Sequence, residues 1–225
     1  MIELRDVRKV FHQGRPDEMI AVDGLSLRVQ AGALTVFRGP SGSGKTTLLS
    51  LVGCMARPSS GRIFVRGREV TRLPERFLAD VRRRTFGFVF EHFHLVPGLN
   101  ALENVMLPAY PLGERRSELA RRARGLLESL GVGHRAAARI DRLASGEAQR
   151  VAVARALVND PDVIVADEPT AHLDTRVSRE LLGILAGLRD RGKTVLLASH
   201  DPLVTESPLV DRVVALRDGR IEGAR

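Results

Sequence analysis

The spacing of hydrophobic residues changes twice along the chain. Up to Glu91, short apolar or alternating runs lie between turns that contain glycine and proline, a pattern typical of β-strands. From Leu102 to Leu157 the apolar residues recur at helical spacing, and strand-like runs return after Pro161. The pattern predicts an α/β fold, in which a mixed sheet with flanking helices is interrupted by a helical insertion of about 60 residues.

Individual elements follow from the same spacing and from the turn residues. We predict a loop over residues 11–16 and hairpins over residues 62–70 and around Asp218-Gly219, because Asp-Gly is a strong hairpin turn. Strands are predicted over residues 2–10, 21–29, 34–37, 85–90, 163–166 and 194–199. Helices are predicted to start near Gly44 and to cover residues 74–84, 119–130, 147–159 and 176–191.

Length and composition narrow the class of protein. The chain has 225 residues, 44% of them hydrophobic, which is enough for the core of one large or two small domains. A single cysteine, Cys54, allows no internal disulfide and is expected in a reducing compartment, packed as a small core residue. The first residues do not read as a signal peptide, and no apolar run approaches the roughly 18 residues of a membrane span. We therefore expect a soluble protein that reaches a membrane only through a partner.

The charge balance is basic. The chain carries 35 lysines and arginines against 27 aspartates and glutamates, a formal net charge of +8, and arginine supplies nearly all of the excess. A basic surface suits nucleic acid, an anionic membrane or an acidic partner. A GC-rich genome also produces arginine-rich surfaces, and the charge alone does not separate the two explanations.

Residues 39–47 match the pattern G-x-x-x-x-G-K-[ST] between a predicted strand and a predicted helix. Glycines let backbone N–H groups approach an anion, and the start of a helix adds unpaired N–H groups. Lys45 would reach the β- and γ-phosphates of a nucleotide, and Thr46 would bind Mg²⁺. The alternative is a glycine-rich turn with an unrelated lysine. The candidate phosphate-binding residues are Gly39, Pro40, Ser41, Gly42, Ser43, Gly44, Lys45, Thr46 and Thr47.

Two later strands end in residues that suit nucleotide hydrolysis. The apolar run 163–166 leads into Asp167 and Glu168, and such a strand end lies beside the phosphate loop in nucleotide-binding sheets. Asp167 would hold Mg²⁺ through water, and Glu168 would orient and deprotonate the attacking water. The run 194–199 leads into His200, which would bond the γ-phosphate and fix that water. Strand ends often carry acids, and a lone histidine there is more often a surface residue, but the phosphate loop favours the functional roles.

A family resemblance appears at residues 143–157. This stretch resembles the signature segment of ATP-binding-cassette (ABC) ATPases, usually Leu-Ser-Gly-Gly-(Gln/Glu) followed by a helix. Phe11 stands where the family stacks an aromatic ring on adenine, and Glu91 stands at the position of the Q-loop glutamine. Residues 170–174 look like the D-loop, and His200 looks like the switch histidine. Residues 88–99 and 102–108 look most like the branch that serves lipoprotein release, macrolide and haem export, peptide resistance and cell division.

The resemblance covers essentially the whole chain and implies its organisation. It implies a single ABC ATPase domain over residues 1–225. A P-loop nucleotide-binding core, with an antiparallel β subdomain, would occupy residues 1–91 and 158–225, and a helical subdomain would occupy about residues 92–157.

The resemblance also implies a mechanism. Two subunits would close head to tail around two ATP molecules, each bound between the phosphate loop of one subunit and the signature helix of the other. The nucleotide-binding residues implied beyond the phosphate loop are Phe11, Ala144, Ser145, Gly146, Glu147 and Asp174. The implied Mg²⁺ ligands are Thr46, Glu91 and Asp167, and the implied catalytic residues are Glu168 and His200. Hydrolysis would drive a membrane permease on the cytoplasmic face, whose coupling helix docks in a groove near residues 91–105.

Two departures from the family pattern keep other functions open. Glu91 replaces the Q-loop glutamine, and Ala144-Ser145-Gly146 stands where Ser-Gly-Gly is expected. Either change could slow turnover, so one alternative is a nucleotide-gated scaffold that binds ATP and barely hydrolyses it. Another is a non-transport ABC ATPase that acts on nucleic acid. Such proteins usually carry two cassettes or long coiled insertions, which this chain lacks, so nucleic acid is the less favoured partner.

Overall fold

Ten strands and seven α-helices are present in the computed structural model, which describes residues 1–224. The strands are β1 (Ile2–Phe11), β2 (Met19–Val29), β3 (Leu34–Arg38), β4 (Ser60–Val65), β5 (Arg68–Glu69), β6 (Phe86–Val89), β7 (Val163–Asp167), β8 (Thr194–Ala198), β9 (Arg212–Arg217) and β10 (Arg220–Ala224). The helices are α1 (Lys45–Val52), α2 (Glu75–Thr85), α3 (Ala101–Met106), α4 (Arg116–Ser129), α5 (Ser145–Leu157), α6 (Thr175–Asp190) and α7 (Pro202–Thr205). Three 3₁₀ turns cover Leu107–Leu112, Gly133–Arg135 and Ile140–Arg142.

The strands form two sheets. A four-stranded antiparallel sheet has the order β2-β1-β4-β5, and its strands alternate buried and exposed positions because only one face is covered. The six-stranded sheet has the order β10-β9-β3-β8-β7-β6 and is parallel except for the hairpin of β9 and β10. Its inner strands are continuous apolar runs because helices or the other sheet cover both faces.

The topology places the chemically interesting residues together. Strand β3 lies between β8 and β9, and β8 also pairs in parallel with β7. The carboxyl ends of β3, β7 and β8 therefore meet at one edge of the sheet. Phosphate-loop residues follow β3, Glu168 follows β7 and His200 lies just after β8.

Two buried hydrophobic clusters cover the two faces of the six-stranded sheet. One joins sheet residues such as Val36 and Ile164 to Val105, Leu127 and Val151 of helices α3, α4 and α5. The other joins the opposite sheet face to helix α1 and to the four-stranded sheet. No helix within residues 1–224 combines the length and the apolar character needed to cross a bilayer.

The sequence predicted most of these elements, but it did not predict α7 or the three 3₁₀ turns. The other differences are local. Phe11 is the last residue of β1 and pairs with Met19, so the predicted loop begins one residue too early. Thr85 ends helix α2 instead of starting β6, because the helix continues to the first residue that pairs with β7. The Asp218-Gly219 hairpin is confirmed, with both turn residues at positive φ.

Candidate functional site

The phosphate loop connects β3 to α1 and needs glycine at two positions. Gly44 precedes helix α1 with φ +96°, and a Cβ there would collide with the backbone carbonyl of Ala21. A Cβ on Gly39 would collide with the carbonyl of Leu216. The loop therefore packs against its neighbours at distances that only glycine permits, and it leads directly into α1, whose first N–H groups can bind an anion.

The remaining loop residues are exposed at the tip and buried at the base. Ser41 and Gly42 are exposed, whereas Ser43 is buried and its N–H donates to the carbonyl of Pro40 at 3.2 Å. Thr47, in the first turn of α1, is partly buried. The loop thus presents its tip to solvent on a fixed base.

Lys45 brings a positive charge into this loop. Its side chain is 7% exposed, and Nζ donates to the carbonyl oxygens of Gly39 at 2.8 Å and Pro40 at 3.1 Å. The same nitrogen lies 3.5 Å from Oε1 of Glu168. The ammonium group is therefore at the centre of the loop, beside the carboxylate that follows β7.

Thr46 and Asp167 bring two side-chain oxygen atoms together beside the phosphate loop. Oγ1 of Thr46 donates to Oδ1 of Asp167 at 3.1 Å. Two adjacent ligands of an octahedral Mg²⁺, each about 2.1 Å from the ion, lie about 3.0 Å apart, so this pair fits the ion. Burial raises the pKa of Asp167, and the carboxylates of Glu168 and Glu91 raise it further. A cation at this position would offset that unfavourable charge.

Glu168 has an unusual backbone conformation and charged or titratable neighbours. Its φ is +43°, in the left-handed region that side chains other than glycine rarely adopt, and its N–H donates to the carbonyl of Ala198 at 3.0 Å. Its side chain is 13% exposed, and Oε1 lies 3.0 Å from Nδ1 of His200. Strained residues held by neighbouring strands are frequent at functional sites.

Glu91 lies at the edge of this group. Its charge contributes to the raised pKa of Asp167, and its Oε1 lies 3.5 Å from Nε2 of His172. The following residues Phe93 and His94 both have positive φ. Arg155 of α5 donates to their two carbonyl oxygens, each at 2.5 Å.

Sequence reasoning missed three residues of this region, which are Arg155, His92 and His172. Arg155 is 9% exposed, and burial lowers its pKa. The available signal was a charged residue within the apolar run 151–158, whose neighbours are almost all buried. His92 and His172 come from separate segments, and no spacing in the sequence links them.

The signature residues form a second group. Ala144 is the N-cap of α5, Ser145 is its first residue, and Oε2 of Glu147 accepts a hydrogen bond from the N–H of Ala144 at 3.0 Å. A Cβ on Gly146 would lie 3.1 Å from Cγ1 of Val177. Within residues 1–224, no hydrogen bond or ion pair joins this group to the phosphate loop.

Asp174 lies beside the signature group and caps α6. Its Oδ1 accepts a hydrogen bond from the N–H of Val177 at 2.9 Å. Val177 also lies beside Gly146, so the starts of α5 and α6 are neighbours. The structure thus brings the signature and the D-loop residue together.

Phe11 stands apart from both groups, at the end of β1. Its ring is partly exposed and has Nζ of Lys9 at 5.0 Å from its centroid. Phe11 packs against neither of the two buried clusters. This partial exposure suits stacking on a base and does not suit a core residue.

Comparison with known proteins identifies the family. The family model described as "ABC transporter" matches residues 22–171. The chain belongs to the ABC transporter family. An uncharacterized ABC transporter ATP-binding protein of Thermotoga maritima is 45% identical over 224 residues, which are 99% of this chain and 94% of that protein. The family expected from the sequence is thereby confirmed.

Other relatives of this ABC cassette are longer. The macrolide export ATP-binding/permease protein MacB of Hyphomonas neptunium is 45% identical over 98% of the chain, which spans only 34% of that relative. A solved dimeric ABC cassette in a post-hydrolysis state, bound to ADP and phosphate, superposes with a TM-score of 0.92 at 34% identity. The superposition covers 100% of this chain and 98% of the solved chain. The ABC cassette is thus matched over its full length by a cassette solved in a post-hydrolysis state, which confirms the fold class and the ATPase class expected from the sequence.

Proposed function

We propose that this chain is the motor subunit of a transporter or mechanotransmission complex, in which ATP hydrolysis drives a separate membrane subunit. Glu168 carries the proposal. Its mostly buried carboxylate lies between Lys45 at 3.5 Å and His200 at 3.0 Å. A carboxylate held beside the phosphate-binding lysine is placed to activate water, which supports hydrolysis over binding alone.

The residue roles follow from these contacts. When ATP binds, the ammonium group of Lys45 gives up its hydrogen bonds to the loop carbonyl oxygens and binds the β- and γ-phosphates instead. Glu168 accepts a proton from water, whose oxygen bonds to the γ-phosphorus while the bond to the β-phosphate oxygen breaks, giving ADP and phosphate. His200 holds the water and the γ-phosphate in line with Glu168. Phe11, partly exposed at the end of β1, stacks on the adenine ring.

Thr46 and Asp167, 3.1 Å apart, would hold Mg²⁺, with Glu91 as a further oxygen ligand. When bound, the ion neutralises charge on the β- and γ-phosphates. The raised pKa of Asp167 supports this assignment, because a partly buried carboxylate with acidic neighbours favours a cation.

A second copy of the chain completes the site. The N-terminus of α5, with residues Ala144 to Glu147, offers N–H groups and a positive dipole end to the γ-phosphate bound by the partner. Asp174 at the start of α6 would lie at the same interface. The dimeric state of the solved relative supports the pairing of two copies.

We propose that the chain works at the cytoplasmic face of a membrane, docked to a permease subunit. A groove of about 570 Å³ lies between α2, the 3₁₀ turn Leu107–Leu112 and α5. Phe86, Phe88 and Phe90 stack along it, with ring centroids 6.1 Å and 6.0 Å apart. The groove adjoins the docking region predicted from the sequence, near residues 91–105, because Phe88 and Phe90 also line a neighbouring pocket with Glu91 and His92. We propose the two together as the docking surface.

The proposed division into subdomains rests on the distribution of elements. Residues 92–157 contain α3, α4 and α5 and contribute no strand to either sheet. We keep residues 1–91 and 158–225 as the nucleotide-binding core.

Replacing Glu168 tests the proposal. Glu168→Gln removes the base and keeps the size of the side chain, so we expect ATP binding to persist, turnover to fall at least about a hundredfold, and an ATP-bound dimer to accumulate. ATPase assays and light scattering measure the two effects. Glu118→Gln makes the same change on the exposed surface of α4 and should behave as wild type. Wild-type turnover in Glu168→Gln would exclude Glu168 as the catalytic base.

The nucleotide-gated scaffold remains the second candidate, favoured by Glu91 and by Ala144-Ser145. It predicts that the wild-type chain binds ATP but turns it over no faster than Glu168→Gln, with or without a membrane partner.

A further inference from the structure

Beside the candidate nucleotide site, two histidines and a glutamate bring their ligand atoms together. Oε1 of Glu91 lies 3.5 Å from Nε2 of His172 and 3.8 Å from Nδ1 of His92. The ligand atoms of all three residues lie within 4.8 Å of one another. The two imidazole rings meet edge to face, with centroids 5.1 Å apart. The roles proposed above use neither His92 nor His172.

We propose that Glu91, His92 and His172 form a binding site for a divalent transition-metal ion of the zinc class. Ligand atoms about 2.1 Å from a tetrahedral Zn²⁺ lie about 3.4 Å from each other, close to the two separations from Glu91. Two imidazole nitrogens and one carboxylate oxygen suit Zn²⁺ and similar ions better than Mg²⁺ or Ca²⁺. Three protein ligands leave a fourth position for water.

The ligands come from two segments whose backbones are already held in place. Arg155 donates to the backbone carbonyls of the first and second residues after His92, each at 2.5 Å. The residues on either side of His172 donate their N–H groups to backbone carbonyls three residues earlier, at 3.2 Å and 3.1 Å. Binding would therefore order mainly side chains, which lowers its entropic cost.

The three side chains are also accessible. They are 41% exposed for Glu91, 68% for His92 and 52% for His172, so an ion can reach them from solvent. The carboxylate at position 91, where the family resemblance predicts an amide, supplies the anionic ligand. An ordinary contact between a glutamate and two surface histidines is the competing explanation, and it predicts no metal affinity.

Metal binding would tie the segment after β6 to the loop after β7 and hold Glu91 against the histidines. This consequence rests on the proposed function, in which Glu91 is a ligand of the Mg²⁺ bound with ATP. Zn²⁺ in the site should therefore slow ATP turnover by withdrawing Glu91.

The direct test is Zn²⁺ titration of the full chain by calorimetry, with no affinity tag, after chelator treatment and without nucleotide. We expect one tight ion per chain, at least about tenfold weaker binding in His92→Asn and in His172→Asn, and loss of the site in the double variant. His94→Asn is the matched control, because His94 lies in the same segment but packs on Phe90 outside the cluster. Equal Zn²⁺ binding by wild type and the double variant would overturn the proposal.

A second measurement tests the consequence for turnover. ATPase activity is compared with and without saturating Zn²⁺ in wild type and in the double variant. Slowing in wild type alone supports withdrawal of Glu91, and equal slowing in both overturns it, because Zn²⁺ would then act elsewhere. The titration uses no nucleotide, so failure of the proposed ATPase mechanism would leave its result intact.

Discussion

At the scale of single residues, Asp167 carries a negative charge where burial disfavours it. Folding raises the pKa of this carboxyl above its ordinary value of 3.8, with burial as the largest cause. The native state therefore binds the proton more tightly than the unfolded state, and the ionised side chain lowers stability at neutral pH. The cost is largest above the folded pKa and disappears below the ordinary value. Functional sites often accept such costs.

Asp167→Asn should stabilise the fold when no metal is present. The amide removes the charge and still accepts the hydrogen bond from Thr46. At pH 7 in a chelator we expect a higher melting temperature, by about 2–4 °C for each kcal/mol regained, and the gain should shrink as the pH falls toward 4.

Differential scanning fluorimetry measures this effect, and ATPase activity should be lost in the same variant. Asp141→Asn, an exposed carboxylate on a 3₁₀ turn, is the control and should leave the melting temperature nearly unchanged. A lower melting temperature for Asp167→Asn at pH 7 would contradict the argument.

At the scale of elements, helix α5 supports the segment that follows β6. Phe93 and His94 both have positive φ, and the guanidinium group of Arg155 fixes this conformation by donating hydrogen bonds to their carbonyl oxygens. Bonds from a charged donor to carbonyl groups contribute roughly 1.5–3 kcal/mol each, which offsets the strain of these backbones. Arg155 thereby links the helix that starts at the signature to the segment that carries Glu91.

Arg155→Met keeps most of the buried stem but leaves both carbonyls without their partner. We expect a loss of about 2–4 kcal/mol in the free energy of unfolding and faster proteolysis within residues 91–100. Chemical denaturation and limited proteolysis measure these effects. Arg124→Met, on the exposed side of α4, should change neither, and the proposal about Arg155 fails if the two variants behave alike.

The departure from the family signature at Ala144 affects the start of helix α5. Ala144 is the N-cap, a position where a serine oxygen accepts a hydrogen bond from the first turn and stabilises a helix by about 1 kcal/mol. Restoring the family pattern at residue 144 would thus act on the monomer as well as on the partner's γ-phosphate.

The double change Ala144→Ser with Ser145→Gly, in the Glu168→Gln background, should tighten ATP-driven dimerisation. Ala144→Ser alone separates the two effects, since capping raises monomer stability while a new contact to the γ-phosphate raises dimer affinity. Sedimentation and thermal unfolding provide the two readouts. Unchanged dimerisation would mean that Ser145 already makes the contact.

At the scale of the whole molecule, one hydrophobic cluster extends from the six-stranded sheet into α3, α4 and α5. Helices that share buried side chains with a sheet are expected to unfold together with it. The subdomains proposed from the sequence would then be functional parts of one cooperative unit.

Leu127→Ala tests whether the helices and the sheet unfold together, because Leu127 is fully buried in α4. Loss of its side chain should cost about 2–5 kcal/mol and lower a single melting transition seen by both circular dichroism and nucleotide binding. Leu112→Ala, 37% exposed, should have little effect. Two separate transitions would show that the helical part unfolds independently.

Several features of this protein were determined by its sequence alone, because they depend on neighbours along the chain. The pattern G-x-x-x-x-G-K-[ST] between a strand and a helix specifies the phosphate loop, apolar runs specify the inner strands, and Asp218-Gly219 specifies a hairpin. These local rules were sufficient to predict the fold class and to propose Lys45 and Glu168 as parts of one site.

Only the tertiary structure decided which distant residues meet. Strand order brings Glu168 to His200, and α5 reaches back across 61 residues to the carbonyl of His94. The meeting of His92 with His172 depends on two loop conformations and on no period of the sequence. The physical reason is that hydrophobic spacing determines which face of an element is buried, whereas contacts between loops depend on how the buried faces pack together.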